Sequence, residues 1–217
     1  MAIPKYIIPG KIKNDEWILH KTRYEFACKH VKGKIVLDAA CGAGYGSQMM
    51  LDAGAKKVIG IDLDESAISY AKSHYKADFI LMDMTGTEFT DNYFDVFVCF
   101  AAMGAVGDVQ QFFDEVKRLL KPGGIFIVSA GVFGKSFLEN KRLMKLASHH
   151  FTKDGLISIF KKNFTDVKFY AQEKQFLAFP GRGLINKILG IRRDHTIVPL
   201  NDISDPRVVV CVGKPIK

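Results

Sequence analysis

The eleven residues VLDAACGAGYG, Val36 to Gly46, restrict the fold of this chain more than any other stretch. An apolar run ends on one carboxylate, Asp38; three alternate glycines follow, and a helical pattern begins behind them. The sequence therefore calls for a buried strand, a tight corner and a helix. Glycine at such a corner permits positive φ and lets backbone come close to a ligand at the helix start. A strand fed into a helix in this way is the unit from which parallel sheets are built.

The unit recurs. Short β-branched or aromatic runs stand at 34–38 (KIVLD), 57–62 (KVIGID), 78–83 (DFILMD), 93–100 (YFDVFVCF), 124–130 (GIFIVSA), 166–172 (DVKFYAQ) and 207–213 (RVVVCVG). Helical patterns separate most of them, which predicts an α/β protein with seven strands. One helix is expected through SQMMLDAG, stopped by Gly54. Another starts near Asp64, whose side chain suits a cap while Glu65 favours the positive helix end. From Asp108 to Leu120 the residues Val109, Phe112, Phe113, Val116, Leu119 and Leu120 form one apolar stripe, and Pro122 of KPGG ends that helix. Further helices are expected in TKDGLISIFKKNF and, ahead of the first strand, in NDEWILHKTRYEFACKHV. No repeat or linker divides the chain, so 1–217 reads as one domain, with an N-terminal helical portion 1–33, a half 34–130 and a half 131–217.

Charge separates those halves. The net charge is +8; 15 basic residues stand against 16 acidic ones up to residue 130, and 16 against 7 beyond it. Such an excess fits a Lys-rich solvated face, or a field that attracts an anionic partner such as a nucleotide sugar, a lipid headgroup or RNA. The basic residues are scattered and have no aromatic platform among them, which argues against nucleic acid. Segment 179–200 is basic and apolar, and Ile185, Ile188, Leu189 and Arg192 fit one face of a short helix. Packing on a sheet edge is expected for it, with cover over a substrate or contact with a membrane surface as alternatives. The first sixteen residues lack the apolar core of a signal peptide, and no apolar run reaches about eighteen residues. With four dispersed cysteines and no C-x-x-C pair, a cytoplasmic protein with reduced thiols is expected. No Cys, His and carboxylate cluster has metal spacing, so no metal is expected.

Gly42-x-Gly44-x-Gly46 puts Ser47 where a dinucleotide fingerprint has its third glycine, and no Gly-Lys-Ser/Thr follows as a P-loop requires. The pattern left, Asp38-x-x-x-Gly42-x-Gly44, suits a ligand that brings a cation to the corner. Carboxylates at the ends of parallel strands open onto one edge of the sheet, and there Asp38, Asp62 and Asp83 need a ligand with donors or positive charge.

With these residues, and with FDVFVCF and RLLKPGGIFIVS in place of fourth-strand and fifth-strand motifs, residues 14 to 175 resemble the class I S-adenosylmethionine-dependent methyltransferases. The resemblance implies a Rossmann-like sheet of seven mostly parallel strands in the order 3-2-1-4-5-7-6, the last strand antiparallel, with flanking helices. It implies S-adenosylmethionine as cofactor and S-adenosylhomocysteine as product. Asp38, Ala40, Gly42 and Gly44 are then expected at the methionine half, Asp62 at the ribose hydroxyls, Leu63 over one adenine face, and Asp83 with Met84 at the adenine amino group.

A narrower likeness, in YIIPG, HKTRYEFACKHVKGKIVLDAACGAGYGS and HHFTKDGLISIFKKNFTDVKFYAQ, is to small methyltransferases of surface-polysaccharide and sugar biosynthesis. It implies that Arg23 and Tyr24 form an N-terminal lid, and that the acceptor is an oxygen or nitrogen of a small molecule such as a sugar or glycan precursor. The chain departs from that group at Ala43 and in AAMGAVGD, where Gly104 and Ala105 stand in place of Glu-His. A general base is therefore expected elsewhere, first at His150 and next at His149, since unperturbed imidazole titrates near 6.5. A cofactor-binding partner with weak or no activity, an RNA or protein methyltransferase, and an aminopropyl transferase on the same fold are the alternatives.

Overall fold

The structure is a computed structural model and describes residues 8–9, 14–133, 148–174, 197–200 and 206–216. Helix α1 (Asn14–Cys28) leads into β1 (Ile35–Ala39), α2 (Tyr45–Asp52), β2 (Lys57–Asp62), α3 (Glu65–His74), β3 (Asp78–Leu81) and β4 (Phe94–Phe100). A 3-10 turn (Met103–Ala105) follows, then α4 (Val109–Leu119), β5 (Leu120–Gly131), α5 (Lys153–Asn163), β6 (Phe164–Lys174), β7 (Ile197–Pro199) and β8 (Pro206–Pro215).

The described strands form one sheet in the order β3-β2-β1-β4-β5-β8-β6-β7. Strands β1 to β5 run parallel, and β8 is antiparallel to both β5 and β6. The expected order is thus present, and the described residues add an eighth strand to the expected seven. The addition is β7, which extends the sheet by pairing Ile197–Pro199 with β6. Three residues are too few to show a period of two, which is why the sequence pattern misses it. The end of segment 179–200 accordingly lies on a sheet edge; the helix expected around 185–192 falls outside the described residues. Strand β5 also starts earlier than GIFIVSA, because Leu120 pairs with Phe94 and the KPGG corner interrupts the register before Ile125 meets Val96.

Alternation along the strands sorts the core into two layers. Val36, Val58, Val96, Val98 and Ile127 face one way, onto Tyr24 and Ala27 of α1 and Met50 of α2. Leu37, Ile59, Phe97, Phe126 and Val128 face the other, onto Phe112, Phe113 and Val116 of α4 and Phe160 of α5. Four phenylalanines concentrate that second layer, with Phe113–Phe160 and Phe113–Phe164 ring centroids 5.1 Å apart and Phe126–Phe164 at 4.4 Å. Asp108 and Asp64 cap α4 and α3: each carboxylate accepts the backbone N–H groups two and three residues on. Because β2 and β4 flank β1 on opposite sides, the strand order reverses at β1 and β4, and a crevice opens beyond their carboxyl ends.

Candidate functional site

The corner after β1 is built by local chain geometry. Ala40, Gly42 and Gly44 all take positive φ, at 59°, 54° and 83°; glycine adopts this region freely, and alanine does so at a cost. Gly44 tolerates no side chain, since a Cβ there would lie 2.7 Å from Ala71 and Phe79. Asp62, at the tip of β2, braces the turn from the neighbouring strand: its Oδ2 accepts from the Gly42 N–H at 2.8 Å and its Oδ1 from the Asp64 N–H at 2.9 Å. Beside it Leu63 is 70% exposed, an isolated large apolar side chain at the mouth of the crevice. Asp83 is exposed and closes a turn, accepting the Thr85 N–H and hydroxyl, both at 2.8 Å. Met84, half-buried, has its sulfur 3.8 Å from the Cys99 thiol of β4.

Asp38 is placed differently from the other two carboxylates. It lies two residues after Val36 and so shares the face covered by α1 and α2, and it is fully buried. Ser47 donates to it at 2.6 Å, and the Tyr24 hydroxyl at 3.2 and 3.4 Å. Burial pushes its pKa up to about 7, against the pull of the Ser47 and Tyr24 hydrogen bonds, and the nearby Asp62 charge adds to the rise. Burial likewise drives the Tyr24 phenol well above its ordinary value, so it stays a donor. Asp62 and Asp83 open onto the sheet edge, therefore, while Asp38 sits behind it and anchors α1. Ser47, singled out in the sequence only as a missing glycine, is the residue that completes this anchor.

The expected lid is consequently a packed element. Tyr24 is 3% exposed, with ring centroids 5.3 Å from Tyr45 and 5.0 Å from Phe100. It lies so close over Gly46 that a Cβ there would fall 2.0 Å from the ring. Arg23 is buried beside it, and its charge opposes the upward push that burial gives the Tyr45 phenol. Gln172 of β6 donates to the Leu19 carbonyl at 3.0 Å, which fastens α1 to the antiparallel part of the sheet.

Across the crevice, β4 is followed by Ala101, which also has positive φ, 60°. Its N–H donates to the Ser129 carbonyl at 3.2 Å and hydroxyl at 3.1 Å. The loop that follows, Ala102 to Gly107, carries no titratable side chain. His149 lies on this loop, whereas His150 packs on Phe133 with ring centroids 5.5 Å apart. An open groove of about 700 Å³ lined by Lys57, Ile59, Asp78, Phe79 and Tyr93 lies at the opposite, amino-terminal end of β2 and β3. Among the described residues no three His, Cys, Asp or Glu side chains gather to hold a metal, and no described helix is long and apolar enough to cross a membrane.

Residues 37–128 match the family described as a methyltransferase domain. With the sheet order and the crevice at its switch point, this segment is similar to class I S-adenosylmethionine-dependent methyltransferase domains, a class whose cofactor is S-adenosylmethionine. A relative from Mycolicibacterium smegmatis, named a probable S-adenosylmethionine-dependent methyltransferase, is 34% identical over 124 residues, which make up 56% of this chain and 48% of that protein. A ubiquinone biosynthesis O-methyltransferase of Actinobacillus pleuropneumoniae is 34% identical over 107 residues, 45% of each. The chain spans about half the length of the curated relatives it matches. The crystal structure of an S-adenosylmethionine-dependent methyltransferase from Thermotoga maritima shares the fold, with a TM-score of 0.67 at 19% identity over 92% of this chain and 93% of that one.

Proposed function

We propose that the chain transfers the methyl group of S-adenosylmethionine to an oxygen or nitrogen of a small molecule. The observation that carries this reading is the pairing of a braced carboxylate with an exposed apolar side chain at one strand tip: Asp62, held by two backbone N–H groups, next to Leu63. A braced carboxylate keeps acceptor capacity for further donors, which suits two ribose hydroxyls, and Leu63 offers an apolar surface to adenine. Asp83 and Met84 stand at the next strand tip, toward the adenine edge. Ala40, Gly42 and Gly44 present backbone without bulk to the methionine end.

Asp38 serves that end from behind. An ammonium group reaching it displaces the long bonds from Tyr24 while the short one from Ser47 stays, so Tyr24 and α1 feel the cofactor's arrival. When bound, S-adenosylmethionine supplies a methyl already activated by a sulfonium. What the chain adds is position and exclusion of water, which are worth several kcal/mol in a displacement of this kind.

The finer reading, a hydroxyl of a sugar or glycan precursor as acceptor, draws on the likeness of YIIPG and HHFTKDGLISIFKKNF to sugar-biosynthesis methyltransferases and on the basic second half of the chain. A second reading, a cofactor-binding partner without turnover, draws on Gly104 and Ala105, which leave the post-β4 loop without an acid or a base. Isothermal titration with S-adenosylhomocysteine tests the common basis: binding by the wild type and its loss in Asp62→Ala are expected. No binding by the wild type, or equal binding by both, overturns the reading. Methyl transfer by the isolated chain rejects the second reading.

A further inference from the structure

The loop after β4 is chemically bare, yet an imidazole reaches it from a segment more than forty residues away. The His149 N–H donates to the Gly104 carbonyl at 2.9 Å, and the ring Nε2 lies 3.2 Å from the Gly107 carbonyl oxygen. A carbonyl oxygen only accepts, so Nε2 carries the hydrogen; in the neutral ring the lone pair is then on Nδ1. The Phe151 ring stacks beside it, with centroids 6.3 Å apart and planes 26° from parallel. His149 is thus held by main chain and ring together, half-buried, against the loop where the carboxyl tip of β4 meets the crevice. His150, the first expectation from the sequence, instead packs on Phe133.

We infer that His149 is the general base of methyl transfer, acting through Nδ1, and that the acceptor is an alcohol or phenol hydroxyl. The inference rests on the methyltransferase reading above. A neutral amine attacks with its own lone pair, but a hydroxyl must give up a proton, and His149 is the base that the structure brings to the otherwise bare loop. In the step, the acceptor oxygen forms its bond to the methyl carbon while the carbon–sulfur bond breaks and leaves its electron pair on sulfur. The hydroxyl proton passes to Nδ1, and the imidazolium returns it to water. Residues 104 and 107 contribute through their carbonyl groups, so the loop holds the base rather than supplying it.

The test combines turnover with two measurements that need no acceptor. S-adenosylhomocysteine release is followed by mass spectrometry with catechol, methyl α-glucopyranoside, UDP-glucose and benzylamine as probes, for the wild type, His149→Gln, His149→Ala and His150→Gln. Methylation of at least one hydroxyl probe is expected. His149→Gln should lower its rate about 100-fold or more with unchanged S-adenosylhomocysteine affinity by titration, imidazole should restore part of the rate to His149→Ala, and His150→Gln should stay within about threefold of the wild type. Nitrogen-15 spectra of the histidine rings should show His149 with its proton on Nε2. An Nδ1 proton, full activity in His149→Gln, methylation of benzylamine alone, or loss of S-adenosylhomocysteine binding in His149→Gln overturns the inference. So does a wild type that binds S-adenosylhomocysteine and methylates no hydroxyl probe; a wild type that fails to bind it overturns the parent reading instead.

Discussion

The tips of β1, β2 and β3 and the tips of β4 and β5 form two sides of one crevice, and they are built by opposite means. On the first side each carboxylate is tied to partners at short range: Asp62 to Gly42 and Asp64, Asp83 to Thr85, Asp38 to Ser47 in the first turn of α2 and to Tyr24 in the helix packed over it. On the second side the chain from Ala101 to Gly107 carries no titratable side chain, and the imidazole of His149 arrives from 42 residues beyond Gly107. A cofactor common to a whole class can be served by a site the local chain fixes in advance. The proposed acceptor side is assembled by long-range docking. Substitutions should therefore fall into two sets, those on the first side acting on stability and cofactor affinity together, and those on the second acting on turnover alone.

The largest effect is expected at Gly46, where the first side depends on contact between the corner and α1. A Cβ there would lie 2.0 Å from Tyr24, and the ring has no room to retreat between Tyr45 and Phe100. Gly46→Ala should destabilise the fold by about 3 kcal/mol in chemical denaturation. Combined with Tyr24→Ala, the loss should be smaller than the two singles together by about 1–2 kcal/mol, because the obstacle has gone. Simple additivity would break the idea that α1 is seated on this corner.

Next in size is Asp62→Ala, which leaves the Gly42 and Asp64 N–H groups without their carboxylate and takes away the proposed ribose acceptor. S-adenosylhomocysteine affinity should fall about 100-fold, or about 2.8 kcal/mol at 1.4 kcal/mol per decade. The His149 variants should leave that affinity untouched, which makes the pair the sharpest contrast between the two sides.

Asp38 gives the first side a pH dependence. Burial raises its pKa in the folded protein to about 7 from an ordinary 3.8, so the fold binds that proton more tightly than the unfolded chain does. Its contribution to stability is complete below pH about 4 and is lost as pH rises through about 7. His20 acts in the opposite sense, since burial and the Arg23 charge hold its pKa down to about 3 from 6.5, and stability from that source grows between those two values and is complete above the higher one. The difference between wild type and Asp38→Asn cancels the histidine. Denaturation at pH 5 and pH 8 should show the wild type losing more stability over that interval than Asp38→Asn, and equal losses would remove Asp38 from the account.

The same contrast explains what could be read from the residues alone. Strand tips, glycine corner and helix caps were legible because each signal is local: an apolar run ending in Asp, alternate glycines, an Asp two and three residues ahead of the N–H groups it caps. The burial of Asp38 was also within reach, since alternation puts it on the face of Val36, but strand-end carboxylates invite the assumption that all of them point outward. Nothing local announces β7, with three residues, or the pairing of Leu120 with Phe94. The seat of His149 on Gly104 and Gly107 is farther still from any local pattern, because neither glycine carries a side chain to betray a partner.

The smallest effect expected lies at Asp64, and it asks how far the first side acts as one unit. Asp64 caps α3 by accepting from the Ser66 and Ala67 N–H groups at 2.9 and 3.1 Å, while its own N–H is one of the two donors that brace Asp62. Asp64→Ala removes the cap and keeps the brace, so it should cost about 1 kcal/mol of stability and leave S-adenosylhomocysteine affinity within about twofold, since a pure stability change of that size does not alter the folded site. If affinity instead falls tenfold, the start of α3 and the Asp62 carboxylate move together, and the cofactor side is held by the helix cap as much as by the strand tip.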